Sequence, residues 1–193
     1  MKPDADLIPT PSQTVGPFFR IELTTEEHCV KCVAGSSAKG ERLWITFRVL
    51  DADGAPVNDA MLEIWQADAS GKYNHPDDLQ PKPLDPGWIG FGRIATAGDG
   101  SCLLETIKPG RVPNGTLQAP HLTLGVFARG MLKQLFTRVY FARDAANDQD
   151  PILQLVPPDR RNTLMAQPDP ARPGHWLFDV RLQGDQETVF FDV

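Results

Sequence analysis

The chain has 193 residues, a formal net charge of −6 and no run of lysine or arginine. This length gives room for a sizeable core, and the acidic balance argues against a nucleic-acid-binding face. No apolar stretch approaches the ~20 residues of a membrane span, and the N-terminus lacks the apolar centre of a secretory signal, so a cytoplasmic location is expected.

Strand signals recur along the chain as short runs in which apolar and polar residues alternate. They cover residues 43–50, 61–66, 89–96, 101–107, 121–129, 133–142, 176–183 and 188–193. Turn sequences rich in Asp, Gly and Pro separate them, and one short helix is predicted over 160–166. The series predicts an all-β fold, an antiparallel β-sandwich with long loops and at most one or two short helices. We expect a single domain over 1–193, with an N-terminal arm and loop over 1–40 and the sandwich core over 41–193.

The connection over residues 67–88 is long and rich in Pro, Asp and Gly. Loops of more than about 15 residues in a compact domain are usually functional or disordered. Because this one carries Tyr73 and His75, we interpret it as part of a site.

The three cysteines do not form a disulfide framework, since their number is odd. Cys29 and Cys32 make a C-x-x-C motif, but no second ligand pair follows at the spacing of a zinc site. The sequence around them is typical of a loop, so reduced loop cysteines are expected.

Several short motifs occur in a specific order. They are LEIWQAD at 62–68, GKY at 71–73, GR at 92–93, TIKPG at 106–110 and APH at 119–121, with TPSQTVGP at 10–17 and QETVFFD at 186–192. In this ordered set the chain resembles the intradiol ring-cleaving dioxygenases over nearly its whole length. The resemblance implies a β-sandwich in which two Tyr and two His hold a ferric ion, which suits hard phenolate and imidazole ligands.

The resemblance also shows which ligand positions this chain retains. The first Tyr falls on Tyr73, but Val112 stands at the second. The His-x-His pair falls on His121 and Thr123, so one His is missing. The chain has only two Tyr, and the other, Tyr140, lies in a strand-like run and is interpreted as a packing residue. We therefore predict no catalytic residue and no metal site in this chain. Tyr73, Val112, His121 and Thr123 are regarded as vestigial ligand positions.

The resemblance is to the iron-free α type of chain, which in this family lies against an iron-carrying β chain and helps to line its substrate pocket. Thr14, Gly16, Pro17 and Arg129 match that pattern and are predicted to bind substrate. Gly and Pro would let the backbone approach an aromatic ring closely, and a guanidinium can pair with a carboxylate. Alternation along 121–129 would place Arg129 on the face of His121 if the strand extends that far.

The resemblance thus predicts an α subunit of an Fe(III)-dependent enzyme that cleaves 3,4-dihydroxybenzoate with O₂ to 3-carboxy-cis,cis-muconate. Its partner would be a homologous β chain that carries the Fe(3+), in an αβ hetero-oligomer. Phe18, Phe19 and the 67–88 connection are candidate contacts. Two alternatives stay open: a self-sufficient enzyme that uses Tyr73, His121 and a further group, and a β-sandwich that only binds another protein.

Overall fold

The computed structural model describes residues 10–16, 18–27 and 29–192. Within them, one short helix, α1 (Phe18–Leu23), precedes the strands. The strands are β1 (Arg42–Leu50), β2 (Met61–Trp65), β3 (Phe91–Ala95), β4 (Ser101–Ile107), β5 (Pro113–Asn114), β6 (Thr116–Leu117), β7 (His121–Phe127), β8 (Leu135–Phe141), β9 (Met165–Pro168) and β10 (His175–Arg181). Three 3₁₀ helices span Ala145–Gln149, Leu153–Leu155 and Arg161–Leu164. The predicted all-β class with very little helix is confirmed, and no helix in the described ranges has the length and apolar character needed to cross a membrane.

Eight strands form one nearly closed sheet in the order β3-β2-β7-β8-β9-β10-β1-β4, and β5 and β6 form a separate ribbon. Most neighbours are antiparallel, but β1 pairs with β10 and β8 with β9 in parallel. The sheet is therefore mixed, which corrects the purely antiparallel pairing expected from the sequence. The long connection through the 3₁₀ helices lets β8 and β9 run the same way. β1 and β10 lie far apart in the chain, so no tight hairpin forces them to be antiparallel.

A segment before β1 closes the gap between the two edge strands. The Val30 N–H donates to the carbonyl of Arg93 on β3 at 2.8 Å, and the Val33 N–H donates to the carbonyl of Glu105 on β4 at 3.1 Å. The C-x-x-C motif lies at this seam, and its cysteines are free thiols, as predicted. Its second cysteine takes part in a β-bridge, so this segment is not the plain loop that the sequence indicated.

The inward faces of the strands follow the predicted alternation. The alternating buried apolar side chains on β1 and β7 are Leu43, Ile45, Phe47, Val49, Leu122, Leu124 and Val126, and Leu50 at the end of β1 is buried as well. Burying a side chain of this size contributes about 1.5–3 kcal/mol relative to leaving it exposed, so this core holds the sheet in shape. The opposite face of β7 is left to carry polar groups.

Two predictions near the C-terminus are wrong. Residues 160–166 do not form one helix, because the chain makes a single 3₁₀ turn over Arg161–Leu164 and then enters β9. Within 188–192, Phe191 makes only an isolated bridge with Phe136. In the first case pairing of Met165 and Ala166 with β8 overrides the helical pattern. In the second, only one residue finds a strand partner, which a local pattern does not record.

Candidate functional site

Cross-strand pairing builds a row of three side chains over β2, β7 and β8. Trp65 pairs with Thr123, and Thr123 pairs with Arg138. Directly paired residues share one face of a sheet. His121 precedes Thr123 by two residues and lies on this face too, opposite Tyr140.

Tyr73 reaches the same face from the connection over residues 67–88. Its ring stacks on Trp65, with 5.9 Å between centroids and an interplanar angle of 3°. The Tyr73 N–H donates to the Asp78 carboxylate at 2.7 Å. Earlier in the connection, the Asp68 carboxylate accepts two backbone N–H groups of the following turn at 2.8 and 2.9 Å. Carboxylates therefore fix this loop and hold Tyr73 in place.

His121 is a neutral imidazole at neutral pH. Its side chain is buried, and Nδ1 lies 2.8 Å from the carbonyl oxygen of Ala119. Because a carbonyl can only accept, Nδ1 carries the proton and Nε2 does not. Burial, together with the positive charge of Arg138, lowers the pKa of His121 to about 4.

A buried carboxylate anchors the chain just before β7. The Asp150 carboxylate accepts the Tyr140 hydroxyl at 3.0 Å and the Ala119 N–H at 2.7 Å. It also accepts the N–H groups of Ile152 and Leu153 at 3.0 and 2.8 Å. Burial raises the pKa of Tyr140, so its phenol stays protonated and donates. Tyr140 is a packing residue, as predicted, whereas an isolated Asp in a turn-rich segment gave no signal of this role.

Arg138 is the charged residue of the site that sequence reasoning missed. Its Nη1 donates to the Gln118 side-chain oxygen at 2.7 Å and approaches the Tyr140 hydroxyl at 3.5 Å. Its charge opposes the rise in pKa that burial causes at Tyr73 and Tyr140, and adds to the fall at His121. Among the described residues no carboxylate forms an ion pair with it. A fixed positive charge therefore lies among the remnant donors.

Trp65, Tyr73 and Arg138 line a cleft of about 550 Å³. Its lining comprises Trp65, Tyr73, His75, Asp77, Asp78, Leu79, Gln80, Val112, Pro113, Gln118 and Arg138. One wall is aromatic, one is apolar, and the Arg138 guanidinium supplies a cation.

The residues of this cleft do not fit the ferric site that the family resemblance implies. Val112 carries no donor atom, and the hydroxyl of Thr123 is a poor substitute for imidazole. Tyr73 and His121 offer a phenol and an imidazole, but burial raises the pKa of Tyr73, which disfavours the phenolate that iron requires. Arg138 would repel a second cation placed among them. Within the described ranges, no group of three or more His, Cys, Asp or Glu side chains is arranged to hold a metal ion.

The residues predicted to bind substrate lie at the other end of β7. This strand has seven residues and begins at His121, so its two ends are about 20 Å apart. Thr14 Oγ1 accepts the N–H of Gly130 at 2.7 Å, which brings the N-terminal segment beside Arg129. The structure thus joins Thr14 and Arg129, and separates both from the vestigial ligand positions.

Arg129 does not continue the alternation of β7, because the strand ends at Phe127. Its Nε lies 2.7 Å from an oxygen of Asp59, and the side chain is 63% exposed. That oxygen has no aligned hydrogen-bond donor, so the contact is an ion pair held by charge. Gly16 has a φ of 69°, in the left-handed region that favours glycine, and Pro17 lies outside the described residues.

The segments that pack near this end of β7 carry exposed apolar side chains. They are Val15, Phe18, Ile21 and Leu132, and each is 46% exposed or more. Phe19 instead packs against Phe127, with 6.5 Å between ring centroids, and so fixes α1 to the end of the strand. Of the two phenylalanines predicted as contacts, the first is therefore open to solvent and the second is partly covered by this chain.

Comparison with known proteins agrees with these observations. A sequence profile of the family described as "Dioxygenase" matches residues 14–184. The protocatechuate 3,4-dioxygenase alpha chain of Burkholderia cepacia is 43% identical over 95% of this chain and 97% of its own length. The alpha chain from Pseudomonas putida is 40% identical over 97% and 98%. The beta chain of the B. cepacia enzyme is 37% identical over 77% of this chain and 67% of that protein.

A solved structure supports the same assignment. The dioxygenase domain of a dioxygenase–carbohydrate-binding fusion protein from Streptomyces sp. SirexAA-E aligns with a TM-score of 0.62 and 27% identity, covering 92% of this chain and 99% of that one. Sequence family, near full-length relatives and fold all agree. The chain therefore belongs to the dioxygenase family, among the intradiol ring-cleaving dioxygenases.

Proposed function

We propose that this chain is the α subunit of an αβ protocatechuate 3,4-dioxygenase, in which a homologous β chain holds the Fe(3+). In this enzyme 3,4-dihydroxybenzoate reacts with O₂ to give 3-carboxy-cis,cis-muconate, and the ferric ion on the β chain supplies the oxidative chemistry. The observation that carries the proposal is the pair of residues without iron-ligating groups, Val112 and Thr123, in a chain 43% identical to an alpha chain over almost its full length. Residues 1–193 would act as one domain, and the free cysteines favour a reducing, cytoplasmic compartment.

In the proposed complex, Arg129 and the segment Thr14–Pro17 line the substrate pocket of the β chain. Arg129 is exposed and is held to Asp59 by charge without an aligned hydrogen bond. A carboxylate on the substrate can compete for this guanidinium and form a charge-assisted pair. Thr14 accepts a hydrogen bond from the Gly130 N–H and so holds the N-terminal segment beside Arg129.

The surface that would meet the β chain is the apolar one around the end of β7. Phe18 is 78% and Ile21 64% exposed, and they lie three residues apart on α1. Residues at this spacing share one face of a helix. Exposed apolar side chains are typical of a permanent subunit interface. The hydrogen bond between Thr14 and Gly130 would bring the neighbouring Arg129 into the same contact.

Co-expression with the β chain from the same source tests the proposal. We expect the purified pair to contain one iron per αβ unit and to cleave 3,4-dihydroxybenzoate, and the isolated α chain to do neither. Stoichiometric iron and turnover in the isolated chain would show a self-sufficient enzyme. A stable pair without ring cleavage would leave the binding-module alternative.

A substitution at Arg129 separates a substrate-lining role from simple docking. Arg129→Gln should raise the KM of the αβ enzyme for 3,4-dihydroxybenzoate about tenfold, because a hydrogen bond to a charged group contributes about 1.5–3 kcal/mol. Arg172→Gln is the matched control, since Arg172 is also exposed and paired with an aspartate, Asp169. Equal KM values for the two variants would refute the assigned role of Arg129.

A further inference from the structure

The cleft next to β8 contains a cation that makes no ion pair among the described residues. Arg138 is half-buried, lines the cleft and is held through Nη1 by the neutral side chain of Gln118. Across the described part of the chain, no carboxylate pairs with it. A guanidinium in a partly desolvated site attracts an anion more strongly than one in open water, and its planar fork matches a carboxylate.

The other walls of the cleft are flat or apolar. The rings of Trp65 and Tyr73 are parallel within 3° and both line the space. Val112 and Pro113 form an apolar wall, and Leu79, a residue 88% exposed, also lines the cleft. Such surfaces favour a planar ring, which can pack on an aromatic wall. The cleft volume of about 550 Å³ falls within the range of about 300–1,000 Å³ common for small-molecule sites.

The acidic groups at the rim restrict the charge that the cleft would accept. Asp78 is held by the N–H of Tyr73 and by Gln80, and its Oδ1 lies 4.0 Å from Lys72 Nζ. These contacts lower the pKa of Asp78 despite the opposing effect of desolvation, so it is ionised at neutral pH. Asp77 is exposed and faces solvent. A second negative charge near this rim would be repelled, so one anionic group placed at Arg138 is favoured.

We propose that this cleft binds a small planar aromatic monocarboxylate without a metal ion, with its ring against Trp65 and Tyr73 and its carboxylate on Arg138. The inference goes beyond the proposed function, because it assigns a ligand to this chain's own cleft. Gln118 holds the guanidinium in place and so orients it toward the ligand.

Equilibrium dialysis with isotopically labelled benzoate tests the site in the αβ complex. We compare the unaltered protein with Arg138→Gln and with the charge-matched control Arg172→Gln. The unaltered protein and the control should both bind one benzoate per α chain at this site with the same Kd. In Arg138→Gln the Kd of this site should rise at least tenfold. Binding is the readout, so the result does not depend on iron content or ring cleavage, and the full chain alone can be measured in the same way.

Two further comparisons keep the test decisive if Arg138→Gln perturbs folding. Tyr73→Leu removes part of the aromatic wall and should also weaken binding at this site, while circular dichroism confirms that each variant is folded. Benzamide has the same shape without the charge and should not compete with benzoate. The inference is overturned if benzoate does not bind, if both variants bind as the control does, or if benzamide competes equally well.

Discussion

Acidification should weaken the fold through His121. This imidazole is 2% exposed, and burial with the nearby charge of Arg138 lowers its pKa to about 4, against about 6.5 in an unfolded chain. Between these two values the unfolded chain binds a proton that the folded chain does not. The contribution of neutral His121 to stability is therefore complete above pH 6.5 and is lost as the pH falls toward 4.

The magnitude follows from the two pKa values. A difference of about 2.5 corresponds to about 3 kcal/mol once the pH lies below both, because each pKa unit is worth about 1.4 kcal/mol. At pH 5 the free energy of unfolding is already about 2 kcal/mol lower than at pH 8, which is most of the total loss. That amount is a large fraction of the stability of a typical domain.

Urea unfolding between pH 8 and pH 5 measures the effect. We expect the free energy of unfolding of the unaltered chain to fall by about 2 kcal/mol more than that of His121→Asn over this range. The variant will differ in absolute stability, so the slope against pH is the quantity compared. His75→Asn, on the exposed loop, serves as the control and should follow the unaltered chain. Parallel curves for the unaltered chain and His121→Asn would refute the reasoning.

Three further predictions concern the framework of the two sites. Asp150→Ala should lower the free energy of unfolding by about 3–5 kcal/mol in urea titrations, since it leaves one hydroxyl and three N–H donors without their acceptor. Gly71→Ala should lower the free energy of unfolding by more than about 3 kcal/mol in the same assay, because the new Cβ would collide with the Arg111 carbonyl. Gly54→Ala is the control: its new Cβ meets open space, so only the positive φ is unfavourable and the loss should be about 1 kcal/mol. Thr14→Val removes the acceptor that ties the N-terminal segment to the end of β7 and should lower kcat/KM of the αβ enzyme about threefold to tenfold, while Thr14→Ser retains it.

Strand positions could be predicted from the sequence because they depend on local information, whereas the vacant ligand positions remain a prediction from the family resemblance. Alternation along β1 marks its buried face directly, since side chains repeat every two residues. The ordered motifs assign Val112 and Thr123 to positions where the family has ligands. The structure places Val112 in the wall of the cleft and Thr123 in the row between Trp65 and Arg138.

The remaining features depend on contacts between distant segments. Arg138 appears in sequence as one polar residue in an alternating strand, and only the pairing of β7 with β8 brings it beside His121. Asp150 lies in a turn-rich segment, and its role requires β8 and the chain before β7 to meet there. The parallel pairing of β9 with β8 likewise depends on a contact between segments that are distant in the chain. No local pattern encodes these arrangements, because they are fixed by tertiary packing.

Arg138 explains how the cleft can keep its shape without a metal ion. Each remnant donor has a protein partner or neighbour: His121 donates to Ala119, and Tyr73 stacks on Trp65. The guanidinium is fixed by a hydrogen bond to Gln118, so the site is polar and ordered with no ion to complete it. The same positive charge that would oppose a cation favours an anion. In the proposed site, the missing donor atoms at Val112 and Thr123 and the charge of Arg138 would act together. They would disfavour a ferric ion and favour a carboxylate, on a sheet that keeps the family's fold.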